Sequence, residues 1–309
     1  MGGSGGGSYT NYETGRLTNI VREDQEKSGA GFEVQLAAYL SELLAHFNSR
    51  DVDLVRTRLE DAKIALQDNL ESTLDQVFGG SVAKHTYVDG MSDIDSLVII
   101  NGSKIEEHEP VAILGHMERI LRDGMGPGVT VEHGRMAVTI NYPDGMCIQI
   151  LPSIRTEAGL KVPAASGAGW SHIDPEGFRM ALTKTNDACG GRLIPTIKLA
   201  KAAISNLPEQ YRLTGYHVES AAIAAFRNYD GPKTTSAMLP LFFERAKQLV
   251  LSPIVDSTGQ SVHVDEYLGP ANSEQRQYVS RLLASLGKRM ANASAAQSKL
   301  QWQALFADE

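Results

Sequence analysis

Residues 79–100 of the chain read GGSVAKHTYVDGMSDIDSLVII, and this stretch decides the fold prediction. Gly80 and Ser81 open it, Asp93 and Asp95 follow, and an apolar run begins at Leu97. Residues i and i+2 of a strand point to the same side of a sheet, so the two aspartates are predicted to share a face. Two neighbouring carboxylates repel each other unless a cation lies between them. Magnesium fits this pattern, because it binds through one or two carboxylates together with substrate phosphates.

The Gly80-Ser81 turn supplies what a phosphate group needs. Its backbone N–H groups and the Ser81 hydroxyl are donors, and no bulky side chain obstructs the approach of a ligand. A lone Asp-x-Asp pair is more often a solvated loop. The pair here opens a buried strand and follows the Gly-Ser turn by 12 residues, and this combination favours a metal-and-phosphate site.

The composition restricts the classes of protein. With 309 residues and 42% hydrophobic content, the chain can form one large domain or two lobes. The net charge of −8 argues against long DNA or RNA as the main ligand. Cys147 and Cys189 are too few for a disulfide framework or a Cys-based zinc site, so a reducing, cytoplasmic setting is expected. The sequence contains no apolar run of about 18 residues, so it predicts no membrane-spanning helix.

The periodicity of apolar residues predicts an α+β fold. Residues 1–8 are rich in Gly and Ser, so we expect them to be a linker outside the fold. Asp174 and Pro175 are typical of a helix start, and Pro143-Asp144-Gly145 is typical of a hairpin turn. Residues 161–173 are expected to be an irregular connector. Helices are predicted over 33–47, 50–77, 111–125, from 174 onward, 191–205, 214–228, 235–250 and 273–307, and strands over 93–100, 128–134, 135–142 and 146–154.

Gly-Ser, a spacer and then the Asp-x-Asp strand resemble the nucleotidyltransferases of the polymerase-β type. GSVAKHTYVDGMSDID is similar in particular to the cGAS/DncV-like enzymes, or CD-NTases, of bacterial anti-phage (CBASS) signalling. The resemblance continues through YPDGMCIQILPSI, HIDPEGFRMALTKTNDACGGRLIPTIKLAKAAI, GYHVESAAIAAF and VHVDEYLG, and covers most of residues 30–308. It implies a polymerase-β-like core, with a small mixed sheet flanked by helices, over 9–165. A C-terminal helical lobe would occupy 166–309, with the active-site cleft between the two.

The resemblance also implies roles for individual residues. Asp93 and Asp95 would ligate Mg²⁺ or Mn²⁺, and Gly80 and Ser81 would hold the triphosphate of a donor nucleotide. A lysine is a compact cation for phosphate, and a tyrosine ring can stack on any base. The remaining substrate-binding residues implied are Lys201, less strongly Lys198, and Tyr216.

One position departs from the family pattern. The strand that precedes Leu-Pro carries Gln149 where the family has a third acid. Glutamine cannot act as a general base and is a poor magnesium ligand beside carboxylates. Three interpretations stay open: a natural variation in which Gln149 holds the attacking sugar, an inactivating substitution, or a protein that binds nucleotides without turning them over. The first is favoured, because phosphoryl transfer depends mostly on positioning and electrostatics.

The expected function is metal-dependent synthesis of a cyclic di- or trinucleotide from ATP or other nucleoside triphosphates. The alternatives are a linear oligonucleotide synthetase, an enzyme that adds nucleotides to another molecule, or a nucleotide-binding pseudoenzyme. The resemblance further implies a downstream effector that reads the product and ancillary CBASS proteins as partners. The sequence leaves base preference, ring size and linkage open.

Overall fold

The computed structural model describes most of the chain, including nearly all of the residues after 94. The described residues are 12–47, 52–70, 75–78, 94–103, 105–157, 159–164, 167–254, 258 and 265–307. Their helices are α1 (Tyr12–His46), α2 (Val52–Leu70), α3 (Pro110–Gly124), α4 (Pro175–Ala188), α5 (Leu193–Ser205), α6 (Gly215–Ala225), α7 (Thr235–Leu249), α8 (Glu274–Ala295) and α9 (Lys299–Gln303). Their strands are β1 (Asp75–Phe78), β2 (Ile94–Ile99), β3 (Thr130–His133), β4 (Val138–Asn141), β5 (Cys147–Thr156), β6 (Gly159–Pro163) and β7 (Trp170–Ile173).

The strands form a mixed sheet in the order β1-β2-β5-β4-β3. β2 and β5 run parallel, and the other neighbouring pairs along this path are antiparallel. The β4–β5 turn contains Gly145 at φ +86°, a left-handed conformation that suits glycine. The far end of β5 continues into an antiparallel ladder with β6 and β7. The predicted α+β class, the mixed sheet and the hairpin at Pro143-Asp144-Gly145 are therefore confirmed.

Among the described residues, buried apolar side chains form two clusters. In the first, α2 and α3 cover one face of the sheet, with residues such as Leu66 and Met117 packed near Ile148. The second cluster joins the helices from α4 to α9, around residues such as Phe243. α1 contributes Leu36 to this second cluster, although the sequence assigns the N-terminal helices to the first unit. The division at residues 165/166 stays a prediction.

Local capping explains where two helices of the second cluster begin. Asp174 accepts a hydrogen bond from the Gly177 backbone N–H at 2.9 Å, and Pro175 is the first residue of α4, as predicted. Thr214 caps α6 in the same way, since its hydroxyl accepts from the His217 backbone N–H at 3.3 Å.

The prediction of a helix over 50–77 is wrong at its C-terminal end. α2 ends at Leu70, and Asp75–Phe78 forms an edge strand antiparallel to β2, with Val77 opposite Leu97. The apolar spacing does not distinguish the two, and the backbone hydrogen bonds offered by β2 favour a strand for a Val-Phe pair.

The connector predicted over 161–173 is also corrected. It contains a hairpin, because β6 and β7 pair with each other and β6 extends the sheet from the end of β5. Gly167 and Gly169, both at positive φ, turn the chain between the two strands.

Two helix boundaries also differ from the prediction. The single helix expected over 273–307 is interrupted between α8 and α9, where Gln297 has a φ of +48° and Ser298 caps the second helix. The helix expected from 33 begins already at Tyr12. A polar N-terminal half hides its helical periodicity.

Candidate active site

A row of four residues crosses the sheet at the predicted metal site. Asp95 on β2 lies opposite Gln149 on β5, Gln149 opposite Thr139 on β4, and Thr139 opposite Glu132 on β3. Directly opposed residues belong to the same face of a sheet. Ile148, next to Gln149 on β5, is fully buried in the cluster under α2 and α3. Gln149 therefore belongs to the opposite face of the sheet.

The other half of the predicted metal site lies outside the described residues. Gly80, Ser81 and Asp93 are in this part of the chain, and of Asp95 the structure describes only the backbone position. Their proposed roles stay predictions. In the described ranges, no three or more His, Cys, Asp or Glu residues come together in a way that could hold a metal ion.

Glu132 is an acid in the same row as Gln149. The sequence predicts the strands of both residues but not that the two residues are in register. Neighbouring strands lie about 4.8 Å apart, so Glu132 stands about 10 Å from Gln149 and about 14 Å from Asp95 along the row. A side chain perpendicular to the sheet does not span that distance. Glu132 therefore does not replace the third acid of the family pattern.

A second group of predicted residues meets where α5 faces the start of α6. The Lys201 ammonium donates a hydrogen bond of 2.8 Å to Glu219 Oε1, and both side chains are buried. Gly215, at the first position of α6, permits this approach, since a Cβ there would lie 3.2 Å from Lys201 Nζ. The positive charge of Lys201 is thus held against the first turns of α6.

Lys198 lies one turn before Lys201 on α5 and is also buried. Burial lowers the pKa of Lys198, and the neighbouring charge of Lys201 lowers it further. The structure therefore brings the two predicted phosphate-binding lysines together.

Tyr216 packs against Phe178 of α4. Their ring centroids are 4.6 Å apart and their planes are inclined by 36°. Phe178 is almost fully buried and Tyr216 is half-buried, so a ring anchored in the core supports one side of Tyr216. The family resemblance identifies Tyr216 but not the supporting Phe178, which comes from a different helix.

A buried ionic network adjoins α6. Arg276 of α8 is fully buried and binds the Asp265 carboxylate at 2.6 Å. Arg276 also donates to the backbone oxygens of Val250, Ser252, Asp265 and Gly269. Asp265 in turn accepts from the backbone N–H of Ile254 at 3.2 Å. The sequence indicates only a local packing or capping role for Asp265, and nothing in it identifies Arg276 as its partner.

A groove of about 640 Å³ lies elsewhere, between α2 and the C-terminal end of α3. Arg58 lies on its wall, with its guanidinium 3.9 Å from the Tyr142 ring centroid and 2.9 Å from Asp144. The hydrogen bond from Arg58 lowers the pKa of Asp144. Of the predicted site residues that the structure describes, namely Gln149, Lys198, Lys201 and Tyr216, none lines this groove.

Comparison with known proteins identifies the class of fold. No family model matches the sequence, and no curated protein matches it by sequence. Solved structures match over most of the chain, and they are nucleotidyltransferases of the CD-NTase type. The fold is that of the CD-NTases, so the resemblance found in the sequence is confirmed at the level of the fold. No helix in the described part of the chain is both long and apolar enough to cross a membrane.

Three of these structures show how similar the chain is to known CD-NTases. CdnG of Bradyrhizobium diazoefficiens, in complex with GTP, has a TM-score of 0.62 and 16% identity, over 81% of this chain and 88% of its own. The Vibrio cholerae DncV cyclic AMP–GMP synthase, with the linear intermediate 5′ pppA(3′,5′)pG, has a TM-score of 0.61 and 12% identity, over 96% and 90%. CdnC of E. coli MS115-1, in a complex with HORMA, has a TM-score of 0.60 and 17% identity, over 82% and 90%.

Proposed function

We propose that this protein is a metal-dependent nucleotidyltransferase that joins nucleoside triphosphates into a cyclic di- or trinucleotide. The observation that carries the proposal is the pairing of Asp95 with Gln149 on adjacent parallel strands of a CD-NTase fold. This pairing puts the Asp-x-Asp strand beside the strand on which the family has its third acid. The Gly-Ser turn in the sequence adds a phosphate-binding element 12 residues before Asp93.

The residues divide the work between a donor half and an acceptor half. Gly80 and Ser81 hold the donor triphosphate, Lys201 with Lys198 adds positive charge, and Tyr216 stacks on a base. Asp93 and Asp95 would hold Mg²⁺ or Mn²⁺. The cation would offset the negative charge of the triphosphate and the additional negative charge that develops on the α-phosphate during the reaction. Carboxylate oxygens on a strand end, supplemented by the triphosphate, are a donor set that suits such a hard cation.

In the reaction, a ribose hydroxyl of the acceptor nucleotide attacks the α-phosphorus of the donor. The new P–O bond forms as the bond to the pyrophosphate oxygen breaks, and pyrophosphate leaves. Gln149 holds the acceptor sugar by hydrogen bonds from its amide, and the hydroxyl proton passes to water because an amide cannot accept it. A second transfer within the same cleft closes the ring.

Two of the matched structures suggest a biological role for the proposed enzyme. The DncV structure carries a linear intermediate of a cyclic AMP–GMP synthase, and CdnC is in a complex with a HORMA protein. By analogy, we propose a cytoplasmic enzyme of anti-phage defence, whose product activates a downstream effector and which works with an ancillary protein.

A nucleotide-binding protein without turnover is the second candidate. Gln149 favours it, because the described residues supply no acid in its place: Glu132, the acid of the same row, stands about two strand spacings away. This candidate keeps the donor half of the site and loses only the acceptor half.

Product analysis separates these functions. The purified protein is incubated with labelled ATP, GTP, CTP and UTP and with Mg²⁺ or Mn²⁺, then treated with phosphatase, and the products are resolved. A phosphatase-resistant product supports cyclisation, and phosphatase-sensitive chains support a linear synthetase. If no product forms while ATP with Mg²⁺ still raises the melting temperature, the binding-only function is correct.

A further inference from the structure

His217 of the GYHVE helix and Tyr267 of the DEYL segment meet through one hydroxyl group. Tyr267, in the DEYL segment, places its hydroxyl 2.9 Å from Nδ1 of His217 in the GYHVE helix. The same hydroxyl accepts a hydrogen bond of 3.1 Å from the backbone N–H of Thr214, the N-cap of α6. The Tyr267 hydroxyl thus bonds to the N-cap and to the first turn of α6, on either side of Tyr216.

The Thr214 N–H can only donate, so the Tyr267 oxygen accepts from it. The direction of the second bond depends on the tautomer of His217: a proton on Nε2, beside the Asp265 carboxylate, leaves Nδ1 to accept the Tyr267 hydroxyl proton. Burial lowers the pKa of His217 to about 4 and raises the pKa of Tyr267 to about 12. The imidazole is therefore neutral and the phenol protonated near neutral pH, as this arrangement requires.

The opposite side of the ring fixes the tautomer. With Nδ1 accepting, Nε2 carries the proton, and this buried atom has no hydrogen-bond partner in the described residues. Asp265 Oδ2 lies 3.8 Å from Nε2, where its negative charge favours the N–H. Arg276 holds Asp265 in place at 2.6 Å. The ring of His217 is thereby held from both sides.

Tyr267 itself is attached to the same support. It lies in a short 3-10 helix, Glu266–Leu268, between Asp265 and Leu268. Asp265 is anchored by Arg276, and Leu268 is buried in the second apolar cluster. About half of Tyr267 remains exposed, so its hydroxyl reaches inward from the surface. The hydroxyl therefore links an anchored connector to the start of α6.

We propose that Tyr267 is a positioning residue that fixes the first turn of α6, and through it the nucleobase-stacking ring of Tyr216. Tyr216 lies in the chain between Thr214 and His217. The Thr214 backbone N–H and His217 Nδ1 both bond to the Tyr267 hydroxyl. The Tyr216 ring also packs on Phe178 of α4. The proposal rests on the role of Tyr216 in the proposed function. A ring held in advance binds a base without the entropy cost of being ordered.

The test compares Tyr267→Phe with the matched control Tyr278→Phe. Tyr278 is a partly exposed tyrosine too, but it packs on Tyr211 at 4.2 Å between centroids. We expect Tyr267→Phe to raise KM for ATP about fivefold with kcat nearly unchanged, the effect of one lost hydrogen bond. Tyr278→Phe is expected to leave KM as in the wild type. A lower melting temperature of Tyr267→Phe with an unchanged KM would overturn the proposal.

A second readout needs no catalysis. The pKa of His217, followed by NMR of its ring protons, should rise in Tyr267→Phe. The hydrogen bond from Tyr267 stabilises the neutral imidazole in the wild type, and the variant lacks this bond. An unchanged pKa would overturn the proposed linkage. If the protein does not turn over ATP, the shift in melting temperature caused by ATP and Mg²⁺ replaces KM.

Tyr216→Ala separates failure of this inference from failure of the proposed function. If Tyr216→Ala weakens ATP binding and Tyr267→Phe does not, the positioning role alone is wrong. If neither variant affects ATP binding, the role assigned to Tyr216 in the proposed function is wrong as well.

Discussion

Lys201 Nζ lies 2.8 Å from Glu219 Oε1, and the two side chains are 6% and 1% exposed. This ion pair joins α5 to α6 inside the protein. Removing two charges from water is costly, so such a pair is held only by close geometry. The carboxylate that secures Lys201 therefore also keeps a positive charge inside the protein, next to the first turn of α6.

Glu219→Gln should destabilise the protein strongly. The substitution keeps the shape but removes the negative charge that pairs with buried Lys201, and the expected loss is about 3–5 kcal/mol in the free energy of unfolding. Glu244→Gln is the matched control, because Glu244 pairs with Lys247 at 2.7 Å but is 62% exposed. The control should lose less than about 1 kcal/mol. Equal losses in urea denaturation of the two variants would contradict this account of the pair.

His217 should make the stability depend on pH. Its pKa is about 4 in the folded protein, below the ordinary 6.5, because the imidazole is buried. Between these values the unfolded chain binds a proton that the folded chain does not, so stability falls as the pH is lowered. This one group should account for about 2 kcal/mol of loss between pH 7 and pH 5.

The contribution of His217 is measured against His217→Gln, which does not titrate. The free energy of unfolding of both proteins is determined in urea at pH 7 and pH 5. The variant should lose about 2 kcal/mol less than the wild type over this interval. The same loss in both proteins would show that His217 is not held neutral by burial.

Gln149→Ala should lower kcat and leave nucleotide binding nearly intact. If the amide holds the acceptor sugar, losing its hydrogen bonds costs about tenfold in kcat, while the donor half of the site is unaffected. The shift in melting temperature caused by ATP and Mg²⁺ measures binding. A variant as active as the wild type would exclude a role for Gln149 in the reaction.

Gln149→Asp distinguishes a natural glutamine from an inactivating substitution. If glutamine is the working residue, the aspartate variant should be no faster than the wild type. A gain of tenfold or more in product formation would indicate that an acid is missing. Absence of product from both proteins, with ATP binding retained, would favour the nucleotide-binding alternative.

Much of the fold follows from local sequence signals. The hairpin at Pro143-Asp144-Gly145 and the start of α4 at Asp174-Pro175 occur where turn and capping chemistry predict them. The edge strand at 75–78 could not be predicted in this way. Its residues continue the apolar spacing of α2, and only the partner strand β2 makes an extended backbone favourable.

The site residues also differ in whether the sequence can identify them. Asp95 is recognisable because strand alternation gives it the same face as Asp93, and Gln149 because of its place in the family pattern. The pairing of the two residues on adjacent strands comes from the structure. Phe178 behind Tyr216, and Arg276 behind Asp265, are not recognisable, because each comes from a different helix. A lysine in a helix likewise does not reveal from its position that a buried glutamate faces it.

The most direct test of the central claim compares the wild type with Asp95→Asn in the labelled-nucleotide assay. Asp123→Asn is the matched control, since Asp123 is an exposed aspartate in the last turn of α3. We predict a phosphatase-resistant product from the wild type and Asp123→Asn, and at least a hundredfold less from Asp95→Asn, a loss of about 3 kcal/mol or more in transition-state stabilisation. Equal product from Asp95→Asn, or none from the wild type with any nucleotide or metal, would contradict the claim.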